Sequence, residues 1–324
     1  MKPKVYVHKY LMHSRQGLNS RSLLTEHEGA LIRVEEGGVS GFACLHPWVE
    51  LGDLNLGGLL KQLKDGRTSR QIKRALECAD LDRDARARGV NLFDGLEVPM
   101  SHGTVVGGVD RVGQAVVAGF DTVKLKMGRD EVANLHMLRE VGGAFPELRV
   151  RLDFNGVSSA GAMEYFLREA GGELRQQIDY IEDPFPLGDS GWDTLRDKYG
   201  LKFAVDRGVS NAFGKYDVSV VKPVINKIQK ICDAAQMDGR NVVVTSYMDH
   251  PVGQSYAAYC AGKANEQYLG LINKRCGLVT HGLYEPTEFT ERLGIVSPDW
   301  NSWENGTTGL GFDDLLDGLD WKKI

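Results

Sequence analysis

Thr122-Val123-Lys124-Leu125-Lys126 is the stretch on which the fold of this chain turns. Its residues alternate, so on a strand Lys124 and Lys126 share one face while Val123 and Leu125 share the other. Taken alone, such a segment is a strand with one solvated face. Taken with the residues C-terminal to it, the segment opens a series. Short β-like runs recur at 148–153, 178–182, 203–206, 218–222 and 242–245, each succeeded by a stretch of helical period. The runs end at 126, 153, 182, 206, 222 and 245, giving spacings of 27, 29, 24, 16 and 23 residues. Repeated β-α units of this size predict a parallel sheet covered by helices. Such a sheet either closes into a barrel or stays open and doubly wound. The open form usually carries a glycine-rich phosphate turn after its first strand, and Gly107-Gly108-Val109-Asp110 lacks that fingerprint. Five successive runs instead end in a charged residue, at the strand ends where barrels keep their chemistry.

Outside the series the pattern changes. Residues 1–97 read as an α+β lobe, with a strand at 5–12 and a hairpin of 30–34 against 39–44. The hairpin turns at Glu35-Glu36-Gly37-Gly38, where glycine accepts positive φ. Thr68 is the expected cap of a helix reaching about residue 88, with Ile72, Leu76, Ala79 and Ala87 on one side and Gly89 as its stop. From about residue 285 the alternation is lost, and Gly309-Leu310-Gly311-Phe312 with Leu315, Leu316 and Leu319 is expected to return to the first lobe. The predicted division is a capping domain of 1–97 plus 285–324 and a barrel of 98–284.

The chain of 324 residues, 42% hydrophobic, has ample material for a core. A net charge of -5 gives no footprint for nucleic acid or an anionic membrane. No apolar run approaches the roughly 18 residues of a membrane span, and Met1-Lys2-Pro3-Lys4-Val5-Tyr6 shows no apolar leader core. Cys44, Cys78, Cys232, Cys260 and Cys276 are odd in number and form no CxxC pair, which predicts free thiols in a reducing compartment. Asn305-Gly306-Thr307 matches a glycosylation acceptor and is read as chance. The expectation is a soluble cytoplasmic protein.

The charged strand ends carry the chemistry. Lys124 and Lys126 would both enter a barrel mouth, where like charges depress each other's pKa and make a lysine a usable base. Asp153 and Asn155 share a face, although Asn155-Gly156 is also turn chemistry. Glu182 stands at the rim before Asp183-Pro184, Asp206 closes an apolar run, and Lys222 is fixed by Pro223. Each has an ordinary reading as a solvated loop acid, a helix cap or a snorkelling lysine. In sequence, however, they give Lys-x-Lys, Asp, Glu, Asp, Lys on five consecutive strands. Three carboxylates from adjacent strand ends suit one hard cation such as Mg²⁺, and lysines on either side would flank a substrate whose enolate-like charge the cation stabilises.

Val123-Lys124-Leu125-Lys126-Met127-Gly128, Asp153-Phe154-Asn155, Ile181-Glu182-Asp183-Pro184, Val205-Asp206 and Val221-Lys222-Pro223 together resemble the enolase superfamily. The resemblance lies with its muconate-lactonizing subgroup, and within that with the o-succinylbenzoate synthases of menaquinone synthesis. It implies a modified TIM barrel, (β/α)7β, with an α+β capping domain. It further implies a Mg²⁺-dependent syn dehydration of a small cyclohexadiene carboxylate, with Mn²⁺ as a possible substitute. Asp153, Glu182 and Asp206 would hold the metal, Lys126 would be the base, Lys124 would keep its pKa low, and Lys222 would stabilise the enediolate. Asn155 and Arg151 are expected near the substrate carboxylate and metal, and Ser246 near the succinyl end. Residues 245–253 and 277–280 are taken as the seventh and eighth strand segments. Arg207 after the third acid and Asp249 in the seventh segment depart from the usual glutamates, and residues 15–22 show no clear specificity loop. Dipeptide epimerases, N-acylamino acid racemases and cycloisomerases share the lysine pair and stay open as alternatives, and a non-catalytic metal-binding relative is the remaining one.

Overall fold

Alternation and turn chemistry build the first layer. In a computed structural model describing residues 3–18, 22–188, 191–212, 214–300 and 308–324, β1 (Lys4–His13), β2 (Glu26–Glu36) and β3 (Val39–Leu45) form an antiparallel sheet. The acceptor-like Asn305-Gly306-Thr307 and residues 19–21 of the 15–22 segment lie outside the described residues. Gly37 and Gly38, at φ 61° and 83°, make the two-residue turn that joins β2 to β3. Helix α1 (Leu56–Lys64), which the sequence reading did not anticipate, starts at Asn55, whose side chain accepts from Gly58 N at 2.8 Å. Helix α2 (Arg70–Ala87) is capped by Ser69 and not by Thr68. It lies so close on the sheet that a Cβ at Gly41 would fall 1.9 Å from the Ala79 carbonyl oxygen.

Asp82 ties this lobe to the end of the chain. Its fully buried carboxylate accepts from Phe42 N at 2.9 Å, Leu310 N at 2.6 Å and Arg86 Nε at 2.7 Å. Arg86 continues to Asp313 and to the Gly311 carbonyl. Leu310, Phe312 and Leu316 are buried, and a last strand (Lys322–Lys323) adds to the edge of β1.

The second layer is parallel. After β4 (Met100–Ser101) come β5 (Gly103–Val105), β6 (Thr122–Lys126), β7 (Arg149–Asp153), β8 (Ile178–Glu182), β9 (Phe203–Val205), β10 (Val218–Val221) and β11 (Asn241–Val244), and the strands from β5 to β11 pair in chain order. Helices α3 (Val109–Val117), α4 (Glu131–Ala144), α5 (Ala160–Gln177) and α6 (Gly191–Tyr199) follow β5 to β8, and α7 (Ile228–Met237) and α8 (Pro251–Gln267) follow β10 and β11, whereas the expected helix after β9 is only a single turn at Val209–Asn211. β12 (Arg275–Cys276) pairs with β4, and bridges from Val242 to Ile272 and from Thr245 to Gly277 link it to β11, closing the barrel. The eighth strand thus lies at 275–276 and not at 277–280. Leu278 N and Val279 N are diverted to the Ser101 hydroxyl, which takes them out of the ladder. The architecture is a modified TIM barrel, (β/α)7β, under an α+β cap. Among the described residues no helix is long and apolar enough to cross a membrane.

Asp82→Ala would leave the Phe42 and Leu310 amides and the Arg86 guanidinium without their shared acceptor. Breaking a buried ion pair in this way costs roughly 3–5 kcal/mol, so urea unfolding should show a loss of that order. A loss under about 1 kcal/mol would contradict the tethering role.

Candidate active site at the barrel mouth

Parallel register places the charged strand ends side by side. Lys126 is opposite Asp153, Asp153 is opposite Glu182, and Asp206 and Lys222 directly follow β9 and β10. Lys126 Nζ is 2.5 Å from Asp153 Oδ2. Lys124 Nζ lies 3.0 Å from the same oxygen and 2.9 and 3.1 Å from the two Glu182 oxygens. Lys222 pairs with Asp206. The site is largely buried: Glu182 and Asp153 side chains are 0% and 2% exposed, those of Lys126 and Lys222 12% and 13%.

Burial and neighbouring charge set the electrostatics. Burial and the nearby Asp153 push Glu182 up to about 7, against the pull of Lys124. Burial works against ionisation of Asp153 too, but Lys124 and Lys126 outweigh it and hold this carboxyl well below its usual range. The expected depression of Lys124 itself is not found. Burial tends to lower its pKa, yet Asp153 and Glu182 overcome that and raise it well above the ordinary lysine value. Lys124 is therefore a fixed cation between two carboxylates.

Among the described residues no three carboxylate, imidazole or thiolate groups stand close enough as they are to hold an ion, because lysine ammonium groups lie between the acids. The donor set nonetheless fits a hard divalent cation in kind. The acids end adjacent strands, and Glu182 experiences the repulsion of both Asp153 and Asp206.

The surrounding backbone is strained where it matters. Asn155, Asp183 and Met248 adopt φ of 51°, 41° and 49°, each just beyond the end of a barrel strand. Asn155 N donates to Asp153 Oδ1 at 3.1 Å, while its buried Nδ2 makes no hydrogen bond. Asp183, absent from the sequence-based set, accepts from the amides of Asp206 and Arg207 and so fixes the third acid's loop. The unusual Arg207 sends its guanidinium to the Asn155 carbonyl at 3.0 Å, bracing the loop after β7.

Arg151 does not belong with these groups. Its guanidinium is 1% exposed and bonds to Asp179 at 2.8 Å, His102 Nδ1 at 2.7 Å, the Arg275 carbonyl at 2.7 Å and Asn273 Oδ1 at 3.1 Å. Asp179 and Arg275 lie at the N-terminal ends of β8 and β12, so the Arg151 guanidinium reaches toward the end of the barrel opposite the charged strand ends. Ser246 sits at the end of the β11 segment, its hydroxyl 2.8 Å from that of Thr280. A cavity of about 290 Å³ reaches Thr280 along with Arg15, Val106 and Leu283, but none of the five charged strand-end residues lines it. Asp249 is buried without a partner for Oδ1, and burial lifts it to about 7.

Sequence reasoning also missed Trp48, Asp53 and Tyr247. The Trp48 indole donates to the Tyr247 carbonyl at 2.8 Å, and the Tyr247 hydroxyl donates to Asp53 at 2.8 Å. These partners are about two hundred positions apart, beyond any local signal.

Comparison with known proteins agrees with the fold and shows the family. Residues 5–85 match the family described as O-succinylbenzoate synthase, N-terminal domain, and residues 109–218 match the Enolase C-terminal domain-like family. The chain is 35% identical to an o-succinylbenzoate synthase of Bdellovibrio bacteriovorus, over 99% of this chain and 98% of that one. An N-succinyl Arg/Lys racemase from Bacillus cereus superposes with a TM-score of 0.80 at 16% identity, covering 100% of both chains. A dipeptide epimerase from Enterococcus faecalis, solved with Mg and the dipeptide L-Leu-L-Tyr, gives 0.77 at 16% identity, covering 96% of this chain and 99% of that one.

A core role for Arg151 has a measurable consequence. Arg151→Met should lower stability by an amount at or below the roughly 3–5 kcal/mol of a broken buried pair, because Asp179 keeps some water. The Michaelis constant should stay within about twofold. A large rise in KM with unchanged urea stability would return Arg151 to the substrate.

Proposed function

Because this chain belongs to the o-succinylbenzoate synthase family, within the enolase superfamily, it is a carbon–oxygen lyase, and we propose a role for each site residue in the dehydration of a cyclohexadiene carboxylate. Lys126 Nζ, in its neutral form, takes the proton α to the carboxylate, and the electrons of that C–H bond pass into an enediolate. Collapse of the enediolate breaks the bond to the β-hydroxyl, which leaves as water with the proton returned by the same Lys126. One lysine serving both transfers makes the elimination syn. Lys222 stands beyond the acids as a cation facing the enediolate. Lys124, paired with Asp153 and Glu182, keeps the carboxylates in place. The free Nδ2 of Asn155 supports a donor role toward the substrate, and Ser246 is assigned to the succinyl end.

Enzymes of this superfamily depend on a divalent metal. In this chain Asp153, Glu182 and Asp206 would hold it, as Mg²⁺ with Mn²⁺ as a substitute, and when bound it supplies positive charge against the substrate carboxylate. One observation carries the reading. Lys126 pairs with the first of the three acids and Lys222 with the third, so the lysines bracket the carboxylate set from its two ends. The cap is assigned to 1–97 with 285–324, and the catalytic barrel to 98–284. All five cysteines are free and buried, which supports a reducing, cytoplasmic setting.

The same bracketing suits a 1,1-proton transfer, which needs one acid–base group per face, and this keeps an epimerase or racemase as the second reading.

Two measurements test these roles. Exhaustive chelation should abolish dehydration, and Mg²⁺ or Mn²⁺ should restore it. Undiminished turnover without metal would remove the three acids from their assignment. Lysine and guanidinium differ as bases, since guanidinium is effectively always protonated. Lys126→Arg should therefore lose the acid–base contribution, roughly 10²–10⁴-fold or more, while Lys222→Arg keeps part of the dehydration. Incubation in D₂O with an N-succinyl amino acid should give slow or no α-exchange. Rapid exchange on both faces without any dehydration of the cyclohexadiene would establish the racemase instead.

A further inference from the structure

Lys222 is held by more than its carboxylate. Its ammonium stands 5.7 Å from the ring centroid of Tyr247, within the range at which a cation is attracted to an aromatic face. Tyr247 is 4% exposed, so the contact is sheltered from water. The ring itself is anchored by the cap. Its hydroxyl donates to Asp53, which also receives the Trp48 amide at 2.9 Å and the Gln71 side chain at 2.8 Å. Its carbonyl receives the Trp48 indole.

The next residue completes the clamp. Met248 sits at positive φ, its amide donates to the Ser246 hydroxyl, and its carbonyl accepts from the Tyr284 hydroxyl. Non-glycine residues persist in this conformation only when their surroundings over-determine them. Cap and tail together therefore fix where the Tyr247 ring points.

We propose that Tyr247 is a positioning residue for Lys222, and that the Asp53–Trp48 pair of the cap holds the ring in place, so that docking of the cap sets the second lysine of the barrel. The proposal rests on the role given to Lys222 above. The Lys222 ammonium is then bounded by the Asp206 carboxylate and by an aromatic face whose orientation the barrel alone does not determine.

The test uses the whole chain with Mg²⁺ and the cyclohexadiene substrate, comparing Tyr247→Leu, Tyr247→Phe, Asp53→Ala and Lys222→Met. Tyr247→Leu removes the aromatic face and should lower kcat about tenfold with KM within about twofold, the signature of an interaction made in the transition state. Tyr247→Phe keeps the ring and should lose no more than about threefold. Asp53→Ala combined with Tyr247→Phe should be no slower than the slower single variant, because the Tyr247–Asp53 hydrogen bond is already lost in either one. A purely structural Tyr247 would give equal losses in Leu and Phe, or additive losses with Asp53→Ala, and either result overturns the proposal. A Lys222→Met enzyme with wild-type kcat would remove the role of Lys222 and this inference with it. An impaired Lys222→Met beside an unimpaired Tyr247→Leu would overturn this inference alone.

Discussion

The ammonium of Lys124, lodged between Asp153 and Glu182, is the contact on which the mouth of this barrel depends. Ionised carboxylates withdrawn from water lose several kcal/mol of solvation each unless opposite charge accompanies them. Here Glu182 is fully buried with two further acids near it, and its affinity for a proton rises accordingly. A strand whose inward positions carried only apolar residues would leave that cluster uncompensated. The Lys-x-Lys alternation of β6 is therefore as much a folding requirement of the acids as a catalytic device. Lys124 meets the first two acids, Lys126 reaches the first, and Lys222 meets the third.

The same reasoning explains why polar groups continue below the mouth. Arg151 runs through the barrel interior, bonded to Asp179 and His102 and 4.7 Å from the Tyr180 ring centroid. Beside it Tyr180 packs with Ala204, Val218, Val220 and Val243 in one interior cluster. Burial and the positive charges of Arg151 and Lys124 keep His102 well below the usual histidine value, hence neutral. Arg151 is thus a further interior cation, matched by Asp179.

Much of this was legible because strand chemistry is local. An apolar run that closes on Asp153, Glu182 or Lys222 announces both the strand and its functional end, and the repeat length announces the parallel sheet. The short β5 and β12 were missed or shifted for the same reason. Gly103-Thr104-Val105 and Arg275-Cys276 are too brief to show a period, and Leu278 N and Val279 N are taken by the Ser101 hydroxyl, a choice made across the closure. Arg151 was misplaced because alternation tells which face a side chain leaves from but not which way a long side chain then turns. The raised pKa of Lys124 itself was hidden because like-charge repulsion is visible in Lys-x-Lys, whereas Glu182, which works against it, lies on another strand. Trp48 and Asp53 gave no signal at all, since their partner Tyr247 is remote in sequence.

A barrel that ends on a strand leaves the sector after β12 without a long helix among the described residues, and the way this chain fills it links the cap to the site. After β12 no long helix follows among the described residues. The chain passes through His281–Leu283 and Tyr284 instead, and Ser14 of the cap bridges to Tyr284. Met12, Leu18, Trp48, Tyr247 and Tyr284 then share one apolar cluster drawn from cap, seventh strand loop and tail. Further along, Leu310 and Asp313 return to Asp82 and Arg86 of α2. The cap is thus held at two places by the segment after β12, at the Ser14–Tyr284 bridge and at the Asp82 and Arg86 contacts. Because one of those places also holds the Tyr247 loop at its strained Met248, the geometry beside Lys222 is set by the closure of the whole chain and not by the barrel strands alone.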